Sequence, residues 1–374
     1  MKITRVETFF VDIQWACWTL LKLYTDDGVT GLGECTLESK EETVLGALKD
    51  LSRALIGKDP LLIERNWQEM YRGSPWQGVA QFTAMSGLEH AMWDIAGKVY
   101  GQPIYKLLGG SCRDRVRLYT WPAPADETPA SYAEAARQAV SLGYRALKTD
   151  PFDEIFFTAS PREITRAVER VTAMRDAVGP EVEIAVDGHQ RLYPQTAIKI
   201  ARELEPLKIL FFEEPVPTDN LDALAKVAAN VDVPLATGER IYTKWGFRPL
   251  LERQLVDIIQ PDICHAGGIL ECRKIAAMAE AYDVPIAPHN PNGPVSLTAS
   301  VHLAACTPNF LALESTHDRS WQWELLDAPL EIVDGYVRLP TRPGLGIELN
   351  EDGLRKHAGV PKDLSFWKSV VVGE

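Results

Sequence analysis

Apolar residues recur along this chain with two different periods, and the change from one to the other divides it. Over the first 50 residues they alternate with polar ones, which predicts strands at 3–11 and 19–24. Asp26-Asp27-Gly28 is a hairpin signal, and 29–34 returns as the partner strand. Residues 42–56, 61–71 and 83–100 carry the helical period instead, with a Gly/Pro-rich loop from Arg72 to Gly78. Strands followed by helices predict a small α+β domain, ending near Gly109-Gly110-Ser111.

From about residue 115 short apolar runs alternate regularly with helical segments. Strands are expected at 117–121, 146–148, 184–186, 209–213, 234–239, 256–260, 284–287 and 310–313. Helices are expected between them, at 131–142, from 160, and at 195–204, 220–229, 247–253, 269–282 and 294–305. The helix from Ser160 carries a capping box, Ser160-Pro161-Arg162-Glu163, and the stripe Ile164, Val168, Val171, Met174, Val178, and Gly179-Pro180 stops it. The predicted fold class is α/β: a modified (β/α)8, TIM-like barrel with an N-terminal α+β capping domain. The expected domains are 1–112 and 113–324, with a tail, about 325–374, folding back on the first. Strands are expected in that tail near 330–333 and 336–339.

Charge and composition narrow the partners. A net charge of -13 argues against nucleic acid and membrane surfaces, which favour a basic face. No apolar run approaches the length of a membrane span. The six cysteines form no CxxC pair, so they read as reduced thiols, and with no signal-peptide pattern a cytoplasmic protein is expected.

Candidate chemistry lies at the carboxyl ends of the barrel strands, where such barrels hold their active sites. In order these ends carry Lys148, Asp187, Glu213, Glu239, Asp262, His289 and Glu314. Any one of them alone would be a helix cap or an ion-pair partner; seven at matching positions predict a site. Asp187, Glu213 and Glu239 stand 26 residues apart, one strand-plus-helix unit each. Three converging carboxylates repel unless a cation sits among them, and an all-oxygen set suits one Mg2+ per subunit. Such an ion would bind a substrate carboxylate and acidify its α-hydrogen.

His289 is the expected general base, oriented by Asp262 from the neighbouring strand. His189, two residues after Asp187, is the expected general acid for a leaving hydroxyl. Lys148 would hold the substrate carboxylate or enediolate oxygen, and Glu314 would donate to the enediolate if burial keeps it protonated. The loop 12–18 with Trp15 and Trp18, and the loop carrying Trp76, are candidate lids. The remaining histidines, His90, His265, His302, His317 and His357, lack this positional support and read as structural or surface groups. No GxGxxG follows a strand, so no phosphate-binding loop is expected.

These residues together resemble the mandelate racemase subgroup of the enolase superfamily, over nearly the full chain. The resemblance implies that Asp187, Glu213 (in Phe212-Glu213-Glu214-Pro215) and Glu239 (in Thr237-Gly238-Glu239-Arg240) are metal ligands, that Asp262 and His289 form the family's His–Asp dyad, and that Glu314 is its electrophilic glutamate. Two-base racemases of this group carry Lys-x-Lys on the second strand; here the triplet is Lys148-Thr149-Asp150, without the second lysine. Asp187-Gly188-His189 resembles the Asp-x-His of galactonate dehydratase-like enzymes, in which that histidine expels the β-hydroxyl. Asp150 departs from the Asn expected in that group and is a candidate substrate contact. The resemblance thus implies a sugar-acid (aldonate or aldarate) dehydratase forming a 2-keto-3-deoxy product, in a homo-oligomer between dimer and octamer. The alternatives are an epimerase or lactone cycloisomerase on the same platform, and a metal-dependent binding relative without turnover.

Overall fold

The computed structural model describes residues 1–152, 155–316 and 320–362. His317 and residues 363–374 of the expected tail lie outside them. The chain begins with an antiparallel meander of β1 (Ile3–Asp12), β2 (Cys17–Thr25) and β3 (Thr30–Glu34). Helices α1 (Glu41–Leu55), α2 (Ile63–Arg72) and α3 (Val79–Tyr100) pack with it around a second apolar core. The fit is tight because β3 is partly glycine: a Cβ on Gly33 would lie 1.9 Å from the carbonyl oxygen of Gly87 in α3. A short α4 (Ile104–Leu107) leads to the barrel.

The barrel strands are β4 (Arg115–Thr120), β5 (Ala146–Thr149), β6 (Glu183–Asp187), β7 (Phe212–Glu213), β8 (Leu235–Thr237), β9 (Ile258–Ile259) and β10 (Leu313–Ser315). Between and after them run α5 (Pro129–Ser141), α6 (Pro161–Val178), α7 (Pro194–Leu204), α8 (Leu221–Ala228), α9 (Thr243–Glu252), α10 (Ile269–Glu280) and α11 (Pro294–Ala305). Strands β4 to β9 pair in parallel and in sequence order, and β10 pairs in parallel with β4. The strand expected at 284–287 is reduced to one residue, Ile286, which bridges Ile259 on one side and Phe310 on the other and so closes the barrel. Its flanks are Pro285 and Pro288, which have no N–H to give to a ladder.

Residues of alternate parity fill the two sides of this wall. Tyr119, Ala146, Ala185, Phe211, Ala236, Ile258, Ala287 and Ala312 form a separate inner cluster, in which Tyr119 meets Phe211 edge-on at 6.1 Å. Their neighbours Leu118, Leu147, Ile184, Phe212, Leu235 and Ile259 join the core under the outer helices. Alanines inside leave room for two rings that plug the barrel below the site.

The tail divides its contacts. Strands β11 (Ile332–Val333) and β12 (Tyr336–Arg338) form a hairpin, and β12 pairs antiparallel with β4 of the barrel rather than with the first sheet. Beyond it, Gly344 accepts from Ile104 N–H, and His357 and Gly359, just after α12 (Glu351–Lys356), bond to β1 through Asp12 and Phe10.

Two carboxylates of the first sheet and its helix bind barrel helices at their N-termini. Glu34, at the end of β3, accepts N–H bonds from Gly293 at 2.7 Å and Ser296 at 2.8 Å, where α11 begins. Glu89 of α3 accepts from Ile269 and Leu270 at 2.8 and 2.9 Å, where α10 begins. Each thereby satisfies amides that have no partner within their own helix. Burial pushes the Glu89 carboxyl up to about 8, against the pull of those amides. In the unfolded chain it titrates near its ordinary 4.5. Folded protein therefore keeps a proton that unfolded chain has lost, and this group's stabilisation is complete below pH 4.5 and lost as pH rises through about 8. Thermal melts across that window should show a falling Tm, with a shallower fall in Glu89→Gln. Equal slopes would refute the assignment.

Candidate active site

The barrel brings the strand-end residues of the sequence together at one rim. Asp187 and Glu213 are register partners on β6 and β7, and Glu239 follows β8, the next strand. Their carboxylate oxygens include one from each residue, all within 4.8 Å of one another. Lys148, on β5, is buried beneath them, with its ammonium 3.2 Å from Asp187, 3.0 Å from Glu213 and 2.9 Å from Glu314. Burial opposes that charge, but Glu213, Glu314 and Asp187 outweigh it and hold Lys148 protonated, well above the usual lysine range.

The chain turns sharply after β6 to form the next part of the site. His189 and Gln190 both have left-handed backbones, φ 45° and 58°. Gly188 precedes them because the backbone of the next strand lies against it: a Cβ there would stand 2.8 Å from the carbonyl oxygen of Glu214. His189 N–H donates to Asp187 Oδ1 at 2.8 Å. Its ring lies with Nε2 3.4 Å from Asp187 Oδ2 and Nδ1 2.8 Å from Asp150 Oδ2, and the Trp121 ring is 5.6 Å away. Strain of this kind, two adjacent left-handed side-chain-bearing residues, is held only where surrounding contacts over-determine it.

On the other flank His289 follows the bridged residue Ile286. Its Nδ1 is 2.8 Å from Asp262 Oδ2, and its Nε2 is 3.3 Å from Glu239 and 4.0 Å from Glu314. Asp262 is buried and held in place by Cys264 N–H at 2.6 Å and the Asn292 amide at 3.0 Å. Burial pushes the Asp262 carboxyl up, but His265 and His289 outweigh it and hold it below the usual aspartate range. Burial pushes the His289 imidazole down, but Glu239, Asp262 and Glu314 hold it well above the usual histidine range. His189 behaves alike: burial opposes its charge, but Asp187 and Asp150 raise it to about 9.

The triad fits a divalent cation. Asp187 Oδ2, Glu213 Oε2 and Glu239 Oε2 are all buried and none accepts a hydrogen bond. Cationic nitrogens lie within 3.4 Å of each, at ion-pair distance but not in hydrogen-bond geometry. Three orphaned oxygens on adjacent strands are unusual unless something else binds them. Their mutual repulsion shows in the carboxyls: burial and Asp187 push Glu213 far up, whereas His189 and Lys148, against burial, hold Asp187 down.

Sequence reasoning passed over several residues here. Glu214 is fully buried beside the triad, ion-paired with Arg240, which also meets Glu239 at 2.6 Å. The signal was in the doubled Glu213-Glu214 and in Glu239-Arg240. Arg191 pairs with Asp150. His265, read as structural, lies 3.8 Å from Asp262 and bonds to Thr83 of α3 at 3.0 Å.

The three tryptophans do not share one place. Trp18, expected in a loop, lies within β2 and is fully buried, stacked 5.4 Å from Trp321 and packed under Gly293. Trp15 is half-buried and lines a cavity of about 440 Å³ with Asp12, Trp321, Lys356 and His357. Trp76, between α2 and α3, is 83% exposed and bonds through its backbone to Ser74.

Residues 3–109 match the mandelate racemase / muconate lactonizing enzyme N-terminal domain, and residues 131–353 match the enolase C-terminal domain-like family. The chain belongs to the enolase superfamily. Within this superfamily it is 39% identical to a D-galactonate dehydratase of Variovorax paradoxus, over 99% of this chain and 97% of that protein. A D-galactonate dehydratase of Ralstonia pickettii is 40% identical over 94% of this chain and 93% of its own length. Among solved structures, a mandelate racemase/muconate lactonizing enzyme-like protein from Rubrobacter xylanophilus superposes with a TM-score of 0.90 at 36% identity, covering 96% of this chain and 98% of that one. The enolase-superfamily barrel and the N-terminal α+β domain therefore account for both halves of the fold.

Proposed function

We propose that this protein is a Mg2+-dependent dehydratase of a sugar acid. One observation carries the reading: two histidines flank the carboxylate triad, each with Nδ1 on its own aspartate and Nε2 turned to the triad. One base would suffice to exchange an α-proton. A second, separately held histidine serves a second proton transfer, which elimination requires and which the single lysine of Lys148-Thr149-Asp150 does not supply.

Asp187, Glu213 and Glu239 would hold the ion. When bound, it neutralises their repulsion and supplies the positive charge that holds a substrate carboxylate and acidifies its α-carbon. His289 acts in its neutral form, reached when the charge of Glu239 3.3 Å away is neutralised: its Nε2 would then take the α-proton while Asp262 keeps Nδ1 in place. Lys148 would face the substrate carboxylate, where negative charge grows as the C–H bond breaks, and Glu314 holds its ammonium in place at 2.9 Å. His189 Nε2 gives its proton to the 3-hydroxyl, the C3–O bond breaks, and water leaves. The resulting enol ketonises to a 2-keto-3-deoxy acid. The relatives' activity makes D-galactonate the first substrate to try. All six cysteines are free, in keeping with a reducing cytoplasm.

The test is a library of aldonates and aldarates incubated with Mg2+ and assayed for 2-keto acids. Product on at least one sugar supports dehydration. Epimerised substrate without keto acid would favour the isomerase alternative, and metal-dependent binding with no turnover on any sugar would favour a binding role. Chelation should abolish product and added Mg2+ restore it. Independently of turnover, Mg2+ should raise the Tm of the parent, as a ligand bound only by folded protein does. That rise should vanish in Glu213→Gln; a Tm indifferent to Mg2+ in the parent would refute the metal site.

A further inference from the structure

Asp150 stands one residue past β5, and its carboxylate is surrounded by donors. Oδ1 accepts from Phe152 N–H at 3.0 Å. Oδ2 accepts from the Arg191 guanidinium and lies 2.8 Å from His189 Nδ1. A backbone amide and a guanidinium can only donate, and an ionised carboxylate can only accept. The approach from His189 Nδ1 must therefore bring its own proton, whether the ring is neutral or charged. With Nδ1–H fixed on Asp150, the ring presents Nε2 to the triad, 3.4 Å from Asp187. Trp121 closes off one face of the ring, and the left-handed turn at 189–190 fixes its base.

We propose that Asp150 is a positioning residue for His189: pinned by Arg191, it holds the imidazole by Nδ1 so that Nε2 points into the site. The protein thus has two histidine–carboxylate dyads, His289–Asp262 on one flank and His189–Asp150 on the other. This rests on the dehydratase reading only for the use His189 makes of its orientation. It also explains why a carboxylate serves here better than the Asn that the sequence resemblance implies. An amide has one oxygen and one NH2. In either flip it would turn N–H against Phe152 N–H or against the His189–Arg191 pair. Asp150 is therefore engaged by protein donors, which favours positioning over the substrate contact expected from the sequence.

Two variants test this, Asp150→Asn, which keeps the shape, and Asp150→Ala, which removes the carboxylate should the amide disturb folding. The first readout is the low-field proton resonance of a hydrogen-bonded imidazole Nδ1–H in Mg2+-loaded protein, assigned to His189 by its absence in His189→Asn. It should be present in the parent and lost in both Asp150 variants; its persistence unchanged would overturn the proposal. The second is kinetic. Elimination should lose about 100-fold in kcat, with KM within about threefold and α-proton exchange into D2O retained. A raised KM at unchanged kcat would overturn it in favour of a substrate contact. If no sugar acid is turned over, the dehydratase reading fails, and the resonance still decides the role of Asp150.

Discussion

His289→Asn is expected to abolish both α-proton exchange into D2O and keto-acid formation, by about 10²–10⁴-fold each. The two losses should be equal because proton removal precedes elimination on either route. His289 is the histidine that Asp262 orients, and Nε2 stands within 4.0 Å of both Glu239 and Glu314. A substrate held at the triad beside Glu239 would present its α-carbon to this flank. Solvent exchange followed by mass spectrometry, run beside the keto-acid assay, measures both steps. Exchange surviving at the parent rate would remove His289 from the base role. Asp262→Asn should follow the same pattern more mildly, since the base remains but loses its orienting carboxylate.

His189→Asn should separate those steps. Keto-acid formation falls by about 10²–10⁴-fold, the usual worth of a positioned general acid, while exchange at the α-carbon continues. The separation follows from geometry. His189 approaches Asp187 from the β5–β6 flank and His289 approaches Glu239 from the far side of β8, so neither can replace the other. Keto product at the parent rate would sink the assignment of His189 as the acid, while dehydration itself would stand on another proton donor. A variant in which exchange also stops would place His189 in proton abstraction or in substrate binding.

Both histidines could be found in the sequence because barrel geometry is nearly periodic. A strand and its helix repeat every 26 residues in the stretch from Asp187 to Glu239, so counting finds the rim. Helical stripes and the Ser160 capping box were equally readable, and the capping box forms as expected. The missing information concerns contacts between segments far apart in sequence. Nothing near Glu34 or Glu89 says that each will bind the start of a helix more than 170 residues away. Nothing near Trp18 marks it as buried, since an apolar ring beside a turn suits a lid and a core equally well. Asp150 shows the same limit at close range. Its place beside Lys148 says nothing of the donors it meets, which come from Phe152, His189 and Arg191. The seventh strand shrank for a local reason that was legible, the prolines at 285 and 288.

The placement of Glu34 and Glu89 bears on how such proteins can be recombined. Grafting a first domain from one relative onto the barrel of another is the obvious route to new lids and new substrates. Here that domain is not a detachable cover. It owns the carboxylates on which two barrel helices begin, and α11 follows directly from the loop that bears His289. A chimera lacking an acid at either position would leave buried amides unpaired at a helix start, and loss of the one at position 34 would also slacken the loop that bears His289. Exchange of lids therefore has a sequence rule: the incoming domain must bring a carboxylate at the end of its third strand and another midway along its long helix. Domain exchange and folding are thus tied together through two carboxyl groups.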